Sequence, residues 1–85
     1  MKKIIALGLV LLTTGVVNAK DNCTDQSKDK WMTVEAFKAK AEAEGYKIRK
    51  FKQPGTCYEI YGTDKNGKDI EIYFNPVDGS IVKSK

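Results

Sequence analysis

The hydrophobic rhythm of the chain changes three times. Residues 4–17 are almost continuously apolar, loosened by Gly8, Thr13, Thr14 and Gly15, and residues 20–30 are polar with no period. Val34, Phe37 and Ala41 then recur at helical spacing, with Ala36 and Ala39 or Ala43 broadening the stripe. Lys38, Lys40, Glu42 and Glu44 fall mostly on the opposite side, the pattern of an amphipathic helix. Thr33 is placed to accept from the first free backbone N–H groups, and Glu35 complements the positive helix end. Gly45 closes the helix, which is predicted over about 33–44.

Beyond Gly45 the period becomes two. Strands are predicted over 46–52, 57–61 and 69–74, separated by a Gln53-Pro54-Gly55-Thr56 turn and an Asn66-Gly67 hairpin. Asn75-Pro76-Val77-Asp78-Gly79 is a further turn, followed by a short segment over 80–83. A two-residue Asn66-Gly67 turn would pair Tyr61 with Ile72 and Glu59 with Phe74, mixing polar and apolar side chains on one face. A three-residue loop, Lys65-Asn66-Gly67 with Gly67 left-handed, instead pairs Ile60 with Ile72, Tyr58 with Phe74 and Tyr61 with Glu71. A one-residue slip turns every side chain over, so the three-residue loop is the expectation.

The buried face is then Ile48, Tyr58, Ile60, Ile70, Ile72 and Phe74, covered by Val34, Phe37 and Ala41. The opposite face carries Lys47, Arg49, Glu59 and Glu71, with Tyr61 and Tyr73, and alternation puts Cys57 there too. The predicted fold class is α+β. One N-terminal helix packs on a three-stranded antiparallel meander, with a short C-terminal strand as an addition.

The apolar opening changes the picture of where this fold operates. Lys2 and Lys3, the apolar run and Val17-Asn18-Ala19 have the three parts of a secretory signal ending at Ala19. The run is about 14 residues, whereas a membrane span needs roughly 20, so no membrane anchor is expected after cleavage. Lys20-Asp21-Asn22 separate the cleavage site from Cys23, which argues against lipid attachment. The expected organisation is a signal peptide over 1–19, an extended leader over 20–30 held only by Cys23, and a domain over 31–85. The expected location is periplasmic or secreted.

The exported part then has about 66 residues, where a hydrophobic core alone is marginal. Its two cysteines, Cys23 and Cys57, read as one disulfide in an oxidising compartment. Cys-x-x-Cys spacing and histidine are both lacking, which disfavours a redox or metal pair. Removing Lys2 and Lys3 from the 15 basic residues leaves 13 against 11 acidic ones, so the net charge falls from +4 to +2.

Several elements in order carry a family resemblance. They are Trp31, Val34-Glu35 and Phe37; Gly45-Tyr46-Lys47-Ile48; Cys57-Tyr58-Glu59-Ile60-Tyr61-Gly62; Asp64-Lys65-Asn66-Gly67-Lys68; and Tyr73-Phe74-Asn75-Pro76-Val77-Asp78-Gly79-Ser80-Ile81-Val82. Together they resemble the small exported PepSY-domain proteins, over nearly all of the chain beyond the signal. The resemblance implies a helix on an antiparallel sheet, in a domain found in propeptides of thermolysin-type metallopeptidases and in bacterial envelope proteins. With no peptidase attached, it also implies any restraint of a peptidase to act in trans. Fold and compartment follow from it more firmly than an activity.

The residues themselves point away from catalysis. Without histidine no Ser-His, Cys-His or His-metal set can form. Glu59 and Glu71 could make a carboxylate pair, but they read better as surface partners of Lys47 and Arg49. Asp64, Asn66 and Asp69 are oxygen-rich, yet Gly67 sits too early for a calcium loop and suits a hairpin. No cofactor or metal is expected. The basic run from Lys47 to Lys52 would be split between two faces, so nucleic acid is not an expected partner. The candidate protein-binding residues are Arg49, Glu59, Tyr61, Glu71 and Tyr73, since tyrosines bury much area at low entropic cost. Trp31 is expected to pack under the tethered leader. The expected function is a non-enzymatic module contacting another envelope protein, with trans-acting restraint of an exported peptidase as the alternative.

Overall fold

The helix α1 spans Val34–Ala43 in a computed structural model that describes residues 21–85, and the predicted signal peptide over 1–19 lies outside the described residues. The Thr33 hydroxyl accepts from the Ala36 N–H at 3.1 Å, as its capping position requires. At the other end the Gly45 N–H donates to the Glu42 carbonyl and the Tyr46 N–H to the Ala41 carbonyl, a Schellman closure. Phe37 and Ala41 are buried and Val34 is half-buried. Ala36, Ala39 and Ala43 are exposed, so the apolar stripe is narrower than the alanine spacing predicts. Lys38 and Lys40 flank it instead, with the Lys38 ammonium 5.1 Å from the Phe51 ring centre and Lys40 paired to Glu44 at 2.6 Å.

The sheet has four strands, β1 Lys47–Lys52, β2 Tyr58–Thr63, β3 Asp69–Phe74 and β4 Ile81–Ser84, in the order β1-β2-β3-β4. All neighbours are antiparallel, and the predicted C-terminal addition is a full member of the sheet. Between β2 and β3, Ile60 faces Ile72, Tyr58 faces Phe74 and Tyr61 faces Glu71, the register expected of the three-residue loop. Asp64 and Lys68 close that loop through a 2.8 Å backbone bond, and Gly67 sits at φ 80°, where a side chain would be strained.

Phe37 lies at the centre of the core, with Tyr58, Phe74 and Phe51 rings 5.0, 4.9 and 6.0 Å from it. Ile60 and Ile72 complete the buried set, while Ile48, Ile70, Trp31, Met32 and Tyr46 pack around its margin. Strict alternation along β1 would leave Phe51 facing outward with Lys47 and Arg49. Instead Ile48 pairs with Gly62 and Lys50 with Tyr61, which leaves Arg49 as an extra residue. The bulge resets the phase, so Ile48 and Phe51, three residues apart, both reach the core. Gly62 permits this close approach, because a Cβ there would stand 1.8 Å from the Lys47 carbonyl oxygen.

The disulfide joins Cys23 to Cys57, with Cα atoms 5.0 Å apart. It is not the leader's only tether, contrary to the sequence expectation. The Thr56 N–H donates to the Asp21 carbonyl at 2.9 Å, and the Thr56 hydroxyl accepts from Cys23 and Thr24. The Trp31 indole N–H donates to the Gln26 carbonyl and its ring meets Tyr58 edge-on, so Trp31 packs against the leader as expected.

Gly62→Ala is expected to lower the unfolding free energy by about 1–3 kcal/mol, seen as a lower urea midpoint. Replacing both cysteines by serine is expected to cost about 3.8 kcal/mol for a loop closed across 34 positions, measured the same way.

Candidate functional site

The sheet face turned away from α1 is built from alternate residues of β2 and β3. Glu59 and Tyr61 come from β2, Glu71 and Tyr73 from β3, and the register sets Glu59 opposite Tyr73 and Tyr61 opposite Glu71. The result is a checkerboard, with each carboxyl flanked by tyrosines along and across the strands and the two carboxyls on a diagonal. Long side chains on such a diagonal are within reach of one another. The other two strands supply cations. Lys52 lies opposite Glu59, Lys50 opposite Tyr61 and Lys83 opposite Tyr73. The Lys50 and Lys52 ammoniums stand 5.5 and 5.4 Å from the Tyr61 ring centre. Lys85 lies 5.6 Å from the Tyr73 ring centre and 3.9 Å from the Glu71 carboxylate.

Glu59 is the unusual member, only 2% exposed although it sits on the outer face. Its Oε2 is buried and accepts no hydrogen bond. Burial raises the Glu59 pKa, and the Glu71 carboxyl nearby raises it further, against the lowering effect of the Tyr61 and Tyr73 hydroxyls. Glu59 in turn lowers Glu71, helped by Tyr61, Lys85 and Lys52 and opposed by desolvation. Of the two carboxyls Glu59 therefore takes up a proton the more readily, and Glu71 stays charged to lower pH. Tyr61 is pushed up to about 12, first by the Glu71 carboxylate opposite it, and Tyr73 is raised mainly by burial and then by Glu59. Both phenols stay protonated at neutral pH and can donate to the carboxyls.

The structure brings together Glu59, Tyr61, Glu71 and Tyr73 from the sequence-predicted set, and it sets Arg49 apart. Arg49 occupies the β1 bulge and reaches Asp69 at 3.5 Å, with both side chains well exposed. Lys47 and Arg49 were expected to face the two glutamates, and the extra residue in β1 gives that place to Lys50 and Lys52. Sequence reasoning missed those two lysines, Lys83 and Lys85. The spacing of Ile48 and Phe51 was the available signal, since strict alternation cannot bury both. Asp64 is committed to its own loop, where Oδ1 accepts from the Asn66 and Lys68 N–H groups. Among the described residues no cavity opens on this face. A partner would therefore meet this face mainly through half-buried Tyr61 and the lysine rim, since Tyr73 is 6% exposed and Glu59 2%.

Residues 3–85 match the family model described as peptidase propeptide and YPEB domain. No curated protein and no solved structure matches the chain.

The Glu59 geometry has a consequence for stability against pH. A carboxyl whose folded pKa is raised stabilises the fold fully below the unfolded carboxyl range, and that contribution is lost as pH rises through the folded value. Glu59→Gln removes this loss and leaves a neutral group beside Glu71. The variant is expected to gain on the natural protein as pH rises from about 4 to 7. Urea unfolding at both pH values checks it, and a pH-independent difference would contradict the placement of the proton.

Proposed function

The chain belongs to the peptidase propeptide and YPEB domain family, and from that premise we propose that it is a binding and regulatory module with no chemistry of its own. It acts on another exported protein through the outer face of its sheet. The observation that carries this reading is the checkerboard of Glu59, Tyr61, Glu71 and Tyr73 under a rim of lysines. Aromatic residues with polar tips, fixed by neighbouring strands, lose little entropy when a partner covers them. A nearly buried carboxyl with an unmatched oxygen also departs from what stability alone would favour. Arg49, paired with Asp69 at the β1 bulge, borders this surface.

Domains of this family are commonly peptidase propeptides or inhibitory modules, typically in exported proteins. That favours a second reading, in which the partner is an exported peptidase restrained in trans by inhibition or by chaperone-like support. The signal-like residues 1–19 support a periplasmic or secreted location for either reading.

Crosslinking in the envelope fraction followed by capture of the protein tests the face. Tyr61→Ala is expected to reduce the captured partner about tenfold or more, because a half-buried tyrosine at the centre of a contact commonly dominates its energy. Capture unaffected by both Tyr61→Ala and Arg49→Glu would rule this face out. Mixing the protein with exported metallopeptidases separates the two readings, since undiminished hydrolysis removes the inhibitor.

A further inference from the structure

The two edges of the sheet are unlike. β1 exposes Lys47, Arg49, Lys50 and Lys52 and is kinked by its bulge, the kind of edge that resists a further strand. β4 lies at the other end of the order and is exposed along its whole length. Ile81 is 54% exposed and Val82 48%, and they are the large apolar residues that stand open among the described residues. The Lys85 N–H donates inward to the Glu71 carbonyl at 2.8 Å. Backbone groups alternate in direction along an antiparallel strand, so Ser84 turns its N–H and C=O toward the open side.

We propose that β4 is a docking edge that takes an extended, acidic segment of a partner protein as a fifth strand. The reading rests on the chain being a binding module, but it uses the edge of the sheet rather than its outer face. The pattern required of the partner follows from the register. Ile81 lies opposite Phe74 on the helix side of the sheet, whereas Lys83 lies opposite Tyr73 on the outer side. Residues of an added strand alternate between the same two sides. Those facing Ile81 are therefore apolar, and those facing Lys83 and Lys85 are acidic. Lys85 is already 3.9 Å from Glu71, and Lys83 has no ion pair among the described residues, so Lys83 is the principal recognition charge. A second copy of this chain fits poorly, because β4 itself carries no acidic residue to set against Lys83 and Lys85.

The test is an NMR titration of the disulfide-bonded protein with a peptide of about six residues alternating valine and glutamate. A matched peptide alternating valine and lysine is the control. The acidic peptide is expected to shift the amides of Ile81, Val82, Lys83 and Ser84 and to slow hydrogen exchange at Ser84, with little response to the control. Lys83→Glu is expected to weaken the acidic peptide about fivefold and to strengthen the basic one. Unchanged exchange at Ser84, equal response to both peptides, or shifts confined to β1 or to Tyr61 and Tyr73 would overturn the proposal. Concentration-dependent dimers with Ser84 protected in the absence of peptide would assign the edge to a second copy and likewise overturn it. Tyr61→Ala leaves this edge intact, so loss of binding at the outer face and loss at β4 are distinguishable.

Discussion

Gly67, held at φ 80°, lets Asp64 and Lys68 close a three-residue loop, and the pairing of β2 with β3 is counted from there. One residue more or less would turn one of the two strands over against the other, setting Tyr61 beside Ile72 and Glu59 beside Phe74 and mixing polar with apolar side chains on each face. The register therefore separates an apolar face from a polar one, and each depends on the other. Phe37 can fill the space between helix and sheet only because the isoleucines and aromatics of both central strands point toward it.

The outer strands adapt to that central pair. In β1 the apolar residues Ile48 and Phe51 are three apart, which breaks strand alternation, and an extra residue at Arg49 lets both reach the core. Gly62 supplies the room on β2, since any side chain there would collide with the Lys47 carbonyl. The same shift turns Lys50 and Lys52 onto the outer face above Tyr61. Core packing on one side thus sets the electrostatics on the other.

That polar face is costly in a domain this small. A buried carboxyl with an unmatched oxygen is a liability of about 1–3 kcal/mol, against a total of roughly 5 kcal/mol. The tether offsets it, since the disulfide, Thr56 and Trp31 together hold the leader against the domain. Sites that break a local rule and are supported from elsewhere are where function is sought first. This places the interest of the molecule on the sheet rather than in a cavity.

Much of the fold was legible in the residue pattern. Thr33 and Gly45 bounded the helix, the hairpin composition chose the β2–β3 register, and two cysteines in a small chain with a signal-like start implied their own pairing. These are local or period-based features, and their physics acts between near neighbours or through simple alternation. Tyr61 and Tyr73 were assigned to the outer face for the same reason. What only the tertiary structure decided depends on contacts between distant segments. The bulge at Arg49 follows from the need of Phe51 to reach Phe37 and Tyr58, and it exchanged Lys47 and Arg49 for Lys50 and Lys52 around the carboxyls. The burial of Glu59 and the opposite pKa shifts of Glu59 and Glu71 arise across two strands, with lysines contributed by β1 and β4. Alternation along a strand names the face a residue occupies, but burial and charge on that face are set by whatever the neighbouring strands bring to it.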